Sequence, residues 1–443
     1  MQRRHFLNAT GAGLATGLLA ACGGGSDPSL GSDAPQPVMN YSRVTPTSTA
    51  VKSRVIVIGG GMGGATVAKY LRLWGDAISV TLVERMPTYT SNIMSSMVLS
   101  GQRSMSSLSF SYDTLRSKYG ITTVFGEVVA IDPVAVKVTL ANGTTLSADR
   151  IVMAPGIGFD SVPGLGSSDK MPHAWQAGPQ TALLASQLKA MTAGLNHNVV
   201  LSIPKTPYRC PPGPYERACL IADWLKVNKP GSKLIVLDAN PAIVTEVDNF
   251  SRAFTTLHAG VIEYHNNAEV IQVNPTDMSL TTALGETYRG DVVNLIPRQR
   301  AGALIATAGL NNATEGRFAG VNVLSYASTV AGADKIHIIG DASATTQPKA
   351  GHIANQEAKV CADAISRILG GGMPDPAPVT NSACYSTITM SQASWLTAVF
   401  QYDATTSAMK AVAASSAASS GWNTDNFSEM GTWFKALMAD SFA

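Results

Sequence analysis

Charge is scarce in this sequence. Asp, Glu, Lys and Arg make up 14% of the 443 residues, well below the roughly one quarter of an average soluble protein. The two signs nearly cancel, leaving a formal net charge of +2, so nothing in the composition points to nucleic acid or a strongly anionic partner. Cysteine is also sparse, five in all, and no Cys-x-x-Cys-His stretch occurs, so any c-type haem must be carried by another chain. No apolar run reaches the ~18 residues that a membrane-spanning helix needs. With 45% apolar residues and 40 glycines the chain is not disordered, and it is too long for one ordinary core. Two or three packed domains acting on a small molecule are expected.

The first residues read as an address. Arg3-Arg4-His5-Phe6-Leu7 is a twin-arginine start, followed by a small-residue apolar stretch to Leu19-Ala20-Ala21-Cys22. Leu-Ala-Ala-Cys resembles a bacterial lipoprotein box, in which Cys22 becomes the lipidated first residue; the alternative is ordinary cleavage nearby. Residues 1–22 are therefore read as a signal peptide and 23–52, rich in Gly, Ser, Pro and Asp, as a tether. Export by the twin-arginine route into the periplasm leaves Cys210, Cys219, Cys361 and Cys384 in an oxidising compartment. Their spacing does not choose among three full pairings.

The strongest local signal begins at Arg54. Arg54-Val55-Ile56-Val57-Ile58 is a strand-length apolar run, Gly59-Gly60-Gly61-Met62-Gly63-Gly64 is a glycine turn, and Ala65 to Trp74 has helical spacing. Ser79 to Val83 forms the next strand, with Glu84 and Arg85 at its end. The spacing predicts a dinucleotide-binding βαβ unit. Gly59 makes the tight turn, Gly61 and Gly63 admit a pyrophosphate to the helix N-terminus, Gly64 lets the helix pack on the strand, and Glu84 takes the adenine ribose hydroxyls.

Two later segments resemble those of two-dinucleotide flavoproteins, which makes the dinucleotide FAD. Asp149 to Gly156, with Ala154 and Gly156 at its turn, is similar to their return strand, and Lys335 to Asp341 to their late strand ending in Gly-Asp. The resemblance implies that Asp341 accepts hydrogen bonds from the ribityl chain; the alternative is a cap on the helix predicted from Gly351 to Leu369. Lys349 and Gly351 would set that helix's positive end by the flavin pyrimidine.

A second Rossmann-like unit is expected from the strands Asn198–Pro204 and Leu234–Asp238. Its turn, Lys205-Thr206-Pro207-Tyr208-Arg209-Cys210-Pro211-Pro212-Gly213-Pro214-Tyr215-Glu216-Arg217, has prolines where a pyrophosphate cradle needs N–H donors. No nicotinamide is expected there. Pro214 opens a helix through Trp224, so Cys210 lies just ahead of a helix N-terminus, where a thiol tends toward a lowered pKa and a disulfide is more easily attacked. A purely structural disulfide, with Glu216 only complementing the helix dipole, is the other reading.

These residues resemble the flavoprotein subunit of flavocytochrome c sulfide dehydrogenase, a pyridine nucleotide-disulfide oxidoreductase-like family. The likeness runs over nearly the whole mature chain: the glycine turn, Pro172-His173-Ala174-Trp175-Gln176-Ala177-Gly178, the Arg209 to Arg217 loop, Asn294-Leu295-Ile296-Pro297, Ile338 to Ala342, Pro348-Lys349 and Ala383-Cys384-Tyr385-Ser386. It implies a redox-active disulfide between Cys210 and Cys384 beside the flavin, with Glu216 as acid or base, sulfide or a related small sulfur compound as substrate, and a c-type cytochrome subunit as electron acceptor. It also implies a departure. The family often tethers FAD through a cysteine in a Tyr-Thr-Cys-Tyr context, whereas this chain has Tyr89-Thr90-Ser91-Asn92, with Asn92 taken as the replacement, so FAD is expected to be noncovalent. Trp433 resembles a terminal tryptophan of the family, on the path to a haem or simply buried in a helix. Cys219 and Cys361 are read as buried thiols.

The expected fold is α/β. An FAD domain is split over 53–168 and 288–370, a second Rossmann-like domain spans 169–287, and a small C-terminal α+β domain spans 371–443. Two rival functions share these features: a sulfide:quinone oxidoreductase-like enzyme, and a nonenzymatic exported FAD-binding electron-transfer or assembly protein.

Overall fold

Strand β1 (Ser53–Ile58) shows why its sequence is a continuous apolar run. In the computed structural model, which describes residues 50–443, β1 is central in a sheet, and alternate side chains point to two different cores. Val55 and Val57 face the helices; Ile56 and Ile58 face the opposite side. The signal peptide and most of the tether lie outside the described residues.

The glycine turn feeds α1 (Met62–Trp74), which leads to β2 (Ile78–Glu84). Both β2 and β4 (Arg150–Met153) run parallel to β1, and β3 (Thr122–Phe125) extends the sheet beyond β2. Val136, Val138 and Leu140 of a three-stranded antiparallel meander cover the non-helical face.

The second half repeats this plan, as expected of a two-dinucleotide fold. β5 (Asn198–Ile203), β6 (Lys233–Asp238) and β7 (Ile262–His265) pair in parallel, and α2 (Gly213–Asn228) covers one face. A meander carrying Val273 and Leu280 covers the other face, where Val200 points. β8 (Val292–Leu295) pairs with β5, so the second sheet runs past the expected boundary at 287. The apolar run 292–296 reads equally well as a strand of either sheet, and only pairing decides. The chain then returns to the first sheet, where β9 (Ile336–Ile338) lies beside β4.

The helix α4 (Gly351–Leu369) has the bounds read from the sequence, and α1 packs along it. β10 (Val379–Thr387), β11 (Ala393–Asp403) and β12 (Ala408–Ala411) form an antiparallel sheet, and α5 (Thr424–Phe442) closes the chain. Met430, Phe434, Leu437, Met438 and Phe442 of α5 join the α1 core. Polar contacts lock its last turn: Lys359 pairs with Asp440 at 2.8 Å, and Asn355 Nδ2 donates to Ser441 Oγ and Asp440 Oδ2. No helix among the described residues is long and apolar enough to cross a membrane.

Candidate functional site

A cavity of about 720 Å³ runs from the β1–α1 turn, past β4 and β9, to the hairpin β10–β11. Its outer end is made by glycine geometry. Gly59 has φ +95°, and a Cβ there would meet Ala154 O at 2.4 Å; a Cβ on Gly64 would meet Gly59 O at 1.7 Å. Gly64 is thus a packing residue outside the cavity wall, whereas Gly59, Gly61 and Gly63 line it. Gly61 caps α1 with no side chain on the first-turn N–H groups, leaving them for an anion. Glu84 accepts from Gly60 N at 2.6 Å and from the Arg85 and Met86 amides. It is held at the mouth beside Arg85, Ala154 and Gly156.

At the inner end Asp341 sits in the turn after β9, not in the cap of α4, which Ala350 occupies. Arg209 Nη1 lies 3.9 Å from its Oδ2, while Asp341 Oδ1 and Arg209 Nη2 are buried without a partner. Orphaned polar atoms on a cavity wall are what a ribityl hydroxyl or a flavin edge would satisfy. Together with the glycine cradle, this shows that the residues fit FAD. Gly351 is on the wall, but the Lys349 side chain is not. Its Nζ donates to Ser343 O and lies 3.9 Å over the Phe318 ring, on the wall of a second cavity of about 460 Å³ behind the cysteine loop. What Lys349 contributes to the site is its carbonyl, which accepts from Cys210 N at 2.6 Å.

The sulfur centre lies over this inner end. Cys210 has φ +59°, a left-handed conformation, and its carbonyl accepts from Gly213 N. Cys384 comes from β10, and Cys210, Cys384 and Glu216 all line the cavity. Both cysteines are thiols in this structure. Burial pushes the Cys384 thiol up to about 12, with Glu246 and Glu216 adding to it. Burial also raises Cys210 strongly, with Cys384 and Glu216 adding. Both shifts run opposite to the lowered thiol pKa expected from the helix N-terminus, and desolvation is their largest cause. Glu216 accepts from Thr387 Oγ1 at 3.0 Å, and burial pushes its carboxyl up to about 7. Cys219 and Cys361 are fully buried in separate cores, as free thiols.

The residue that sequence reasoning missed is Arg217. It is 1% exposed, and it donates to His173 O, Ala174 O and Asn294 Oδ1. Its guanidinium lies 4.5 Å over the Trp175 ring. Asn294 Nδ2 donates in turn to Pro172 O and His173 O, and Trp175 Nε1 to Arg209 O. The Pro172–Gly178 and Asn294–Pro297 motifs are thus the clamp that holds the cysteine loop. An arginine directly after a candidate acid was the available signal. Asn92 lines the cavity and accepts from Ala177 N at 2.6 Å, whereas Ser91 is fully buried; neither carries a sulfur. Trp433 also lines the cavity, against His352 and Tyr385.

Three family models match this chain. Residues 53–189 match the pyridine nucleotide-disulphide oxidoreductase model. Residues 181–297 match the central part, and residues 376–442 the flavin-binding part, of the flavocytochrome c sulfide dehydrogenase flavoprotein chain. The chain belongs to this family of flavoproteins. A sulfide dehydrogenase [flavocytochrome c] flavoprotein chain from Chlorobaculum thiosulfatiphilum is 68% identical over 31 residues, 7% of this chain and 65% of that one. Apoptosis-inducing factor homolog B of Dictyostelium discoideum is 34% identical over 108 residues, 24% of this chain and 26% of that protein. The chain spans about a quarter of the length of the first curated relatives it matches. The sulfide:quinone oxidoreductase from Aquifex aeolicus shares the fold, with TM-score 0.70, 17% identity and coverage of 88% of this chain and 91% of that one.

Proposed function

We propose that this flavoprotein oxidises sulfide, or a closely related small sulfur compound, and passes the electrons through noncovalently held FAD to a c-type cytochrome subunit. One observation carries the reading: two cysteines 174 positions apart (384 minus 210) face one FAD-sized cavity with a carboxyl raised to about 7 beside them. FAD, when bound, accepts an electron pair and can release electrons singly.

The chain's own chemistry precedes that transfer. With Cys210 and Cys384 joined, hydrosulfide attacks one sulfur. The Cys–Cys bond breaks as a bond to the substrate sulfur forms, one cysteine becomes a persulfide, and the other leaves as a thiolate holding the bond's electron pair. Glu216 takes or returns the proton within the pocket. Arg217 and the clamp hold Glu216 and the loop in register, and Asp341 with Arg209 fixes the inner end. The apolar side chains of α5 are spent in the core, which leaves no apolar face there for a bilayer and favours a protein electron acceptor over lipid quinone.

Anaerobic titration with sulfide, followed by the visible flavin spectrum, tests this. Bleaching in the wild type and none in Cys384→Ser or Cys210→Ser is expected. A spectrum unchanged in the wild type overturns the reading. Acid precipitation should release all FAD to the supernatant. For localisation we propose twin-arginine export to the periplasm with a lipid on Cys22. Replacing Arg3 and Arg4 by Lys should hold the folded, yellow protein in the cytoplasm, and Cys22→Ser should lose palmitate labelling.

A further inference from the structure

The chemistry above gives no role to Glu246, a half-buried carboxylate near the sulfur centre. Glu246, just ahead of α3 (Val247–Arg252), has φ +46°, a conformation that a residue with a Cβ keeps only when its surroundings enforce it. A pair of serines holds its carboxylate. The register of β10 and β11 sets Ser386 opposite Ser394, and both are fully buried. Ser386 Oγ donates to Glu246 Oε1 at 2.8 Å, and Ser394 Oγ donates to Oε2 at 2.6 Å. Strand alternation puts Ser386 on the same face as Cys384, about 7 Å along the chain. Thr387, which holds Glu216, points to the other face. The hairpin thus presents one carboxylate on the Cys384 face and another from the α2 side.

We propose that Glu246, clamped by Ser386 and Ser394, is a positioning residue that sets the proton affinity of Cys384, so that the two sulfurs are served by separate carboxylates, Glu216 for Cys210 and Glu246 for Cys384. The inference rests on the proposed sulfur chemistry and extends it. Burial raises the Glu246 carboxyl above its ordinary range, and the hydrogen bonds from Ser394, Ser386 and Asn249 work against that rise. In its ionised form it disfavours a thiolate at Cys384, which favours that thiolate's taking up a proton or handing on its electron pair. The other groups facing this pair are Cys210 from its loop, Glu216 and Cys219 from α2, with Arg217 beside Glu216, and His352 from α4, whose Nδ1 accepts from Ala383 N. Arg252 of α3 is engaged elsewhere, over the Trp422 ring and on Ser420 O. Glu246, ahead of Glu216, adds to the rise that burial imposes on the Cys384 thiol.

The test needs no sulfide. In reduced, FAD-loaded Cys210→Ser protein, iodoacetamide alkylation of Cys384 is followed by mass spectrometry from pH 7 to 10. Adding Glu246→Gln should raise the rate at fixed pH about tenfold, the equivalent of one pKa unit, with a smaller rise for Glu216→Gln. Glu246→Asp, which keeps the charge, should stay within about twofold of its parent. Equal rates in Glu246→Gln and its parent would overturn the proposal. So would equal acceleration by Gln and Asp, which would make loosened packing the cause. If sulfide never bleaches the flavin, the proposed function fails while this titration still reads Glu246.

Discussion

At the scale of the residue, the site is governed by desolvation. Asp341 shows it: a largely buried carboxylate with one oxygen near Arg209 and one buried without a partner. Asp341→Ala should remove a charged hydrogen-bond acceptor worth about 1.5–3 kcal/mol and weaken FAD retention roughly 10- to 100-fold, measured by flavin fluorescence after dialysis. Glu216 shows it through pH. Burial raises its pKa from 4.5 to about 7 in the folded chain, so between those values the folded state binds more protons than the unfolded state, and this residue's contribution falls as pH rises, levelling off above about 7. Glu216→Gln removes that dependence. Its Tm relative to wild type should therefore climb from pH 5 to pH 8; a constant difference would show that Glu216 titrates normally. The identities of these residues were legible in the chain, Asp341 by its Gly-Asp context and Glu216 by its loop. Their burial was not, because it depends on β10 and α4 closing over them.

At the scale of the element, the β1–α1 unit was legible because its demands are local: a strand, a turn needing φ +95° at Gly59, and a helix that reaches the strand only over Gly64. Gly64→Ala should force α1 off β1, lowering Tm and abolishing FAD binding, whereas Gly101→Ala, in open space on the surface but also at positive φ, should cost only about 1 kcal/mol of backbone strain. The loop Lys205–Pro212 was legible as unusual but not in its geometry. That Lys349 would offer its carbonyl to Cys210 and send its ammonium the other way follows from packing around Phe318, which lies far away in sequence.

At the scale of the whole molecule, the sulfur centre exists because the C-terminal segment 371–443 folds back. Joining Cys210 to Cys384 closes a 174-residue loop (384 minus 210), and the chain-entropy model assigns such a closure about 5 kcal/mol. The oxidised wild type should melt several degrees above its reduced form, and Cys384→Ser should show no such difference. Arg217 belongs to this scale as well. It ties segments near residues 96, 173 and 294 to α2, and Arg217→Met should lower Tm and loosen the cysteine loop, seen as faster alkylation of Cys210. The sequence by itself determined the two-dinucleotide α/β plan, the FAD cradle and the candidate sulfurs, because strand period, glycine turns and loop chemistry act over a few residues. Only the tertiary structure decided that β8 joins the second sheet, that Lys349 turns away, and that two facing serines hold Glu246. Those outcomes depend on strand pairing and burial, which are set by residues remote along the chain.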